Sequence, residues 1–360
     1  MTKVLFIAMH RPNRSPSQRY RFEQYFPYLE ANGIYGDLSY LISAEDDRVL
    51  YQPHHYIGKL RIFLKGIRQR LADIKKARKY DYIYIQREAF MTGSTYFERQ
   101  LARLPVPVIF DFDDAIWLPD PSGHHGLLGN LKNPAKTSKI ITLADTVVAG
   151  NDYLAGYARQ FNDKVQVIPT TIDTHWYQPA GKPAKRAVVI GWSGSFSTLK
   201  HFTGIVPVLK RIKEKYQDQV RFKVIGDPEY RNPELGIIGQ KWQAATEVED
   251  LQEIDIGIMP LPDNEWARGK CGAKGLQYMG VAVPTVMSPV GVNTAIITDG
   301  INGFLAGTEE EWFTKLSQLI DSPALRSQLG QAGRETVVKH YSVEAHKRNY
   351  LALFGQRCVP

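Results

Sequence analysis

Residues 260–306 read PLPDNEWARGKCGAKGLQYMGVAVPTVMSPVGVNTAIITDGINGFLA. A glycine-bearing loop with Arg268 and Lys270 enters a helix expected around 271–280, with Gly272 at its entry and Lys274 in its first turn. Open backbone N–H groups at a helix start favour an anion, and lysines add point charge, so the pattern suits a phosphate. A solvated loop before an ordinary helix has the same composition, and on the residues alone both readings stay open. VPTVMSP (283–289) follows as an apolar run of strand length, then GFLA (303–306) as a shorter one.

The same alternation extends outward. AVVIGWSG (187–194), VRFKVIGD (220–227) and IDIGIMPL (254–261) read as strands, with helices expected around 200–216, 247–253, 309–321 and 323–340. In the first half, VLFIAM (4–9), YDYIYIQ (80–86), VPVIFDF (106–112), DTVVAG (145–150) and KVQVIPT (164–170) are further strands, separated by helical segments. Alternating strands and helices predict parallel sheets covered on both faces, an α/β class. PTTIDTHWYQPAGKPAKR (169–186), with three prolines and a glycine, reads as a linker. The expected organisation is one Rossmann-like domain over 1–168, a linker over 169–186 and a second such domain over 187–340. A helix within 341–360 would pack back towards the first domain. Ligands of open α/β sheets bind beyond the carboxyl ends of the strands, so two halves facing each other would enclose a cleft.

Composition narrows the class. The 360 residues carry a formal charge of +8, with 43% hydrophobic and 23% charged residues, which excludes a disordered chain. Cys271 and Cys358 are the only cysteines, too few for a disulfide framework or a cysteine zinc site, so a cytoplasmic setting is expected. The run Val4–Met9 is too short for a secretory signal core, and no stretch reaches the ~20 apolar residues that span a bilayer.

Several stretches, matching in chain order, resemble the group 1 glycosyltransferases, the large retaining family usually numbered four. Val283-Pro284-Thr285-Val286, Ser288-Pro289-Val290-Gly291 and Asp299-Gly300-Ile301-Asn302-Gly303-Phe304 resemble its donor-binding signature. Ile168-Pro169-Thr170-Thr171-Ile172-Asp173 resembles its inter-domain strand end, and Gly191-Trp192-Ser193-Gly194-Ser195 the start of its second domain. Arg326 to Ser342 resembles its C-terminal helices, so the likeness covers roughly residues 165–345. The resemblance implies the GT-B fold and a nucleotide-diphosphate sugar as donor. It implies transfer with retention, and charge stabilisation of the leaving diphosphate with no metal or other cofactor. On that model Lys200, Lys270 and Lys274 hold the diphosphate, with Arg268 and Gly272 in the same loop. Ser195 meets a phosphate oxygen, and Gln277 meets the ribose. The family's two glutamates, with seven residues between them, are replaced here by Gly269 and Gln277. That departure keeps a degenerate, non-catalytic scaffold open as an alternative.

The first half is the expected acceptor side, with Arg19, Arg21, Arg87, Glu88, His124 and His125 as candidates to contact acceptor or phosphate. Asp111 and Asp113 in VIFDFDDAIW (108–117) are the candidates to orient the transferred sugar. The same stretch closely resembles the nucleophile motif of haloacid-dehalogenase-type magnesium phosphatases, which would make Asp111 a nucleophile. Against this, two strands are expected to precede it, and paired downstream carboxylates are hard to find. Residues 58–80 carry nine basic residues against Asp73, with apolar residues at helical spacing. A basic amphipathic helix of this kind suits a docked surface helix or an anionic membrane, placing the protein peripherally on the inner face of the cell membrane. A nucleic-acid partner is not expected, since no recognised module or interleaved aromatics accompany the charge. A glycan or lipid-linked acceptor in cell-envelope polysaccharide or glycolipid synthesis is the implied partner.

Overall fold

The computed structural model describes residues 1–50, 52, 54–118, 133, 135–181, 187–195 and 198–355. The chain divides into two compact units, Met1–Pro169 with His346–Pro360, and Thr170–Ala345. In the first unit β1 (Thr2–His10), β2 (Ile34–Ile42), β3 (Tyr82–Gln86), β4 (Val108–Phe112), β5 (Thr146–Ala149) and β6 (Val165–Val167) form one sheet, in the order β2-β1-β3-β4-β5-β6. All its pairings are parallel. Val4–Ala8 of β1 and nearly all of β3 and β4 are buried, as a parallel sheet covered on both faces requires. Phe6 packs against Phe22, Phe26 and Tyr84 with ring centroids 4.9–5.1 Å apart.

β2 escapes a reading by apolar runs. IYGDLSYLI is an edge strand with Tyr35, Asp37 and Tyr40 towards solvent, and Gly36 lies so close to Phe6 that a Cβ there would come within 2.8 Å of its ring. Three strands therefore precede β4, where the sequence suggested two.

One buried ion pair fixes this unit. Arg21 ends the helix Pro16–Arg21, and Asp111 lies on β4; both side chains have 0% exposure. Arg21 donates from Nε to both carboxylate oxygens at 3.1 Å, from Nη2 to Oδ1 at 2.5 Å, and from Nη1 to the Ile168 carbonyl at 2.5 Å. The Tyr350 hydroxyl, from the helix Val343–Leu353, donates to the Arg21 carbonyl, and the Tyr350 ring stacks on Tyr25 at 3.8 Å. Burial disfavours the Arg21 cation, but the Asp111 carboxylate more than offsets this, so the guanidinium titrates well above its ordinary range.

The helix Tyr56–Ala77 accounts for the basic segment. Its docked face buries Ile62, Gly66 and Ala77 together with Arg70 and Asp73. Arg70 donates to Asp73 at 2.8 Å, to the Ala89 carbonyl at 2.6 Å and to the Ala8 carbonyl at 2.7 Å. It is a structural cation and does not belong to the surface charge.

In the second unit β7 (Val188–Ser193), β8 (Val220–Gly226), β11 (Gln240–Lys241), β12 (Ile256–Met259), β13 (Thr285–Met287) and β14 (Phe304–Leu305) form a parallel sheet ordered β11-β8-β7-β12-β13-β14. A two-stranded hairpin, β9 (Arg231–Asn232) with β10 (Ile237–Ile238), sits in the β8–β11 connection. Ile190, Trp192, Phe202, Ile258, Val286 and Leu316 belong to its core. The helices Leu199–Tyr216, Glu247–Gln252, Ala273–Gly280, Glu309–Asp321 and Pro323–His340 lie where periodicity places them.

The linker expected over 169–186 is corrected for its described part. Thr170, Thr171, Ile172 and Tyr177 are buried in the second unit. The Ile172 N–H donates to the Tyr341 carbonyl and its carbonyl accepts from Val343, which also keeps residues 341–345 with this unit. Prolines and glycine mark an irregular path here, but the backbone is satisfied by the body of the unit.

Candidate functional site

Each sheet has a point where the chain reverses its direction of travel, and the carboxyl ends flanking it open a crevice for ligands. In the first unit this lies between β1 and β3. His10 ends β1, Gln86 ends β3, and Arg87 follows it. Gln86 donates to Ser17 Oγ at 2.8 Å, and Arg87 Nε donates to Asp113 Oδ1 at 2.8 Å. Arg87 has φ +62°, a left-handed backbone that a bulky residue adopts only when its surroundings impose it. Burial opposes the Asp113 charge, but the Arg87 guanidinium, with Arg21 behind it, holds the carboxyl below its usual range. Burial, with Arg14 and Arg87 nearby, pushes His10 down to about 4, so it is neutral at physiological pH. His10 and Ser17 were not singled out by sequence; the end of the first strand was the available signal.

The sequence candidates in this unit separate. Asp113 and Arg87 meet at the crevice. Asp111 and Arg21 do not: they are wholly buried against each other, and a carboxylate so enclosed cannot orient a sugar or attack a phosphate. That removes the phosphatase reading. Glu88 accepts from Lys136 Nζ at 2.9 Å. Arg19 lies over its neighbour Tyr20, 4.7 Å from the ring centroid, and donates to its hydroxyl. His124 and His125 lie outside the described residues.

In the second unit the reversal lies between β7 and β12. Gly194 and Ser195 follow β7, and Gly226 ends β8 with φ +141°. A Cβ on Gly226 would come within 2.1 Å of the Gly194 carbonyl oxygen, so glycine lets the two strand ends approach. Ser195 is exposed, its Oγ 3.2 Å from Thr198 Oγ1. Lys200 stands in the first turn of the helix Leu199–Tyr216.

The loop after β12 faces the same end of the sheet. Asn264 caps the short helix Glu265–Arg268 by accepting from the Ala267 N–H at 2.9 Å. Gly291 (φ +56°) packs on the Arg268 backbone, where a Cβ would lie 2.7 Å from the carbonyl oxygen. Ser288 Oγ accepts from the Leu261 N–H at 2.9 Å. The Ser-Pro-x-Gly turn thus braces the loop. Lys270 Nζ lies 3.4 Å from the centroid of the Trp266 ring, and Lys200 Nζ lies 5.8 Å from it. Gly272, left-handed at φ +67°, opens the helix Ala273–Gly280, with Lys274 half-buried in its first turn. Two lysines gathered around one aromatic ring beside a helix start form a site for a polyanion.

Residues 187–322 match the family model Glycosyl transferases group 1. Most of the second unit is thus similar to a group 1 glycosyltransferase domain. Among curated proteins, none matches the sequence. Solved structures share the fold at low identity. Sucrose-phosphate synthase from Thermosynechococcus elongatus is 15% identical, with TM-score 0.74 and 99% of each chain covered. HepE from Anabaena, in complex with UDP and glucose, is 13% identical, with TM-score 0.67 over 99% of this chain and 100% of that one. The α,α-trehalose 6-phosphate synthase of Burkholderia multivorans is 12% identical, with TM-score 0.64 and 98% of each chain covered. The whole chain therefore has the GT-B fold.

Two candidates in the second unit are corrected. Gln277 has 0% exposure and donates from Nε2 to Glu247 Oε1 at 2.7 Å and to the Tyr177 hydroxyl at 3.1 Å. Glu247 also accepts from Tyr177 at 2.6 Å and from Trp242 Nε1 at 2.8 Å. Gln277 is thus a core amide in a buried network and cannot reach a ribose. Arg268 is an exposed partner of Asp263, bound through two hydrogen bonds of 2.8 and 3.1 Å. Among the described residues, no cluster of three or more His, Cys, Asp and Glu side chains is placed to hold a metal ion.

The Gln277 network predicts the effect of restoring the family's glutamate. Gln277→Glu would face the Glu247 carboxylate in a buried site, and such pairs share a proton. The raised folded-state pKa makes the variant nearest wild type below the unfolded carboxylate value, about 4.3, with stability lost as pH rises. Urea unfolding at pH 5 and pH 8 checks this: the gap to wild type should widen at pH 8. An equal gap at both values would show that the two carboxylates do not interact.

Proposed function

We propose that the protein is a retaining hexosyltransferase that moves a sugar from a nucleotide-diphosphate donor to a glycan or lipid-linked acceptor in cell-envelope polysaccharide or glycolipid synthesis. The observation that carries this reading is the convergence of Lys200 and Lys270 on Trp266 at the reversal point of a unit similar to a group 1 glycosyltransferase domain. The bond from the sugar's anomeric carbon to the diphosphate breaks, and the bond to the acceptor oxygen forms on the same face. Charge then builds on the leaving diphosphate, and preorganised cations oppose it. Lys200, Lys270 and Lys274 supply them, and the Ser195 hydroxyl meets a phosphate oxygen. Asp113, kept ionised by Arg87, accepts from a hydroxyl of the sugar or acceptor. HepE, crystallised with UDP and glucose, makes uridine donors the first to test.

A thermal-shift screen of nucleotide sugars identifies the donor, because a ligand of the native state raises apparent stability. With that donor, Lys270→Ala and Lys274→Ala should each remove about 2–4 kcal/mol of transition-state stabilisation, read from kcat/KM. Full turnover in both variants would take the clamp out of the mechanism. Donor binding with no transfer to any acceptor in the wild type would favour the scaffold alternative.

The helix Tyr56–Ala77 supports a membrane-borne acceptor. Its outer face exposes Ile57 (87%), Leu60 (57%), Leu64 (47%) and Leu71 (40%), with Arg61, Arg68 and Lys75 exposed among them. Apolar anchors between cations suit the surface of an anionic leaflet. Among the described residues, no helix is long and apolar enough to cross a membrane. Co-sedimentation with phosphatidylglycerol vesicles should weaken as salt rises, and fall in a variant with Arg61, Arg68 and Lys75 changed to Gln. Equal sedimentation of variant and wild type would exclude this helix as the contact.

A further inference from the structure

The two lysines that meet at Trp266 need an explanation of their own. Two ammonium groups brought to one site repel, and a free lysine side chain has many rotamers to lose. Here both are gathered by one ring: Lys270 Nζ is 3.4 Å and Lys200 Nζ 5.8 Å from the Trp266 centroid. The negative face of an indole attracts a cation without using up its N–H donors. The ring itself is held, because Asn264 caps its short helix and Gly291 packs on the Arg268 backbone.

His201 completes the arrangement. Its ring lies 5.7 Å from Trp266, centroid to centroid, and the residue is 8% exposed. Burial, with Lys200 and Lys270 beside it, lowers its pKa to about 4, so it adds no third positive charge. Its Nε2 is buried and has no hydrogen-bond partner among the described residues. Buried polar atoms in native proteins are ordinarily paired, so this nitrogen is one that a ligand oxygen can satisfy.

We propose that Trp266 is a positioning residue for the diphosphate, its ring holding Lys270 and Lys200 as a preformed pair of cations with His201 alongside. The inference rests on the nucleotide-diphosphate reading and goes beyond it, since Trp266 touches the lysines and acts through them. Preorganisation of this kind strengthens binding by removing the ordering cost from the binding event.

The test uses the full chain with inorganic pyrophosphate and UDP as separate titrants in calorimetry. Tryptophans carrying one to four fluorines, placed at position 266 alone, drain the ring face of negative charge while keeping its shape. Pyrophosphate affinity should fall stepwise along the series, reaching about tenfold in Trp266→Leu, with partial recovery in Trp266→Phe. Thermal unfolding of the fluorinated series should stay near wild type, which separates positioning from folding. A flat response along the series, with Lys270→Ala still weakening pyrophosphate, overturns the role of Trp266 and leaves the donor reading in place. A wild-type chain that binds neither pyrophosphate nor UDP overturns both.

Discussion

The Arg21–Asp111 ion pair is the constraint on which the first unit depends. A guanidinium and a carboxylate with no solvent exposure are costly to bury, and they persist because each fills the other's hydrogen-bonding capacity. Arg21 also reaches the carbonyl of Ile168, and its own carbonyl accepts from Tyr350. One residue thereby joins the first helix, the central strand β4, the chain after β6 and the C-terminal helix. With that frame fixed, β1 and β3 end where His10 and Arg87 flank the crevice. Two residues beyond Asp111, Asp113 lies past the end of β4, where it meets Arg87. Two aspartates in one short motif thus have separate duties set by depth.

The second unit solves a different problem, the gathering of like charges. Glycines at 194 and 226 bring the ends of β7 and β8 together, and Gly291 brings the serine–proline turn onto the donor loop. The Trp266 ring there lies 3.4 Å from Lys270 Nζ and 5.8 Å from Lys200 Nζ. Gly269 itself is buried in the loop. The family's signature therefore survives here in backbone geometry more fully than in side chains.

Most strands and helices were legible because buried parallel strands are apolar runs and surface helices keep their period. β2 was not, because an edge strand alternates and contains Gly36. Residue type named the donor loop, but type does not report depth. Asp111 and Arg70 look like a catalytic acid and a surface cation until their partners 90 and 3 residues away are seen. Gln277 looked like a ligand residue because its partners, Tyr177 and Glu247, are 100 and 30 residues distant. The segment after Ile168 looked like a linker because its composition is irregular, while its backbone bonds go to Tyr341 and Val343. Local pattern carries local structure, and pairings over long sequence separations are what it omits.

The central claim is that the first aspartate of the DFDD stretch holds the fold while the chemistry is done elsewhere. Asp111→Asn tests it most directly, with unfolding free energy and turnover per folded molecule measured on the same preparation. Removing one partner of a buried pair leaves the other charge uncompensated, so the account predicts a loss of about 3–5 kcal/mol in stability, with turnover of the folded fraction close to wild type. A variant of wild-type stability with abolished turnover would contradict the account and return Asp111 to the reacting centre.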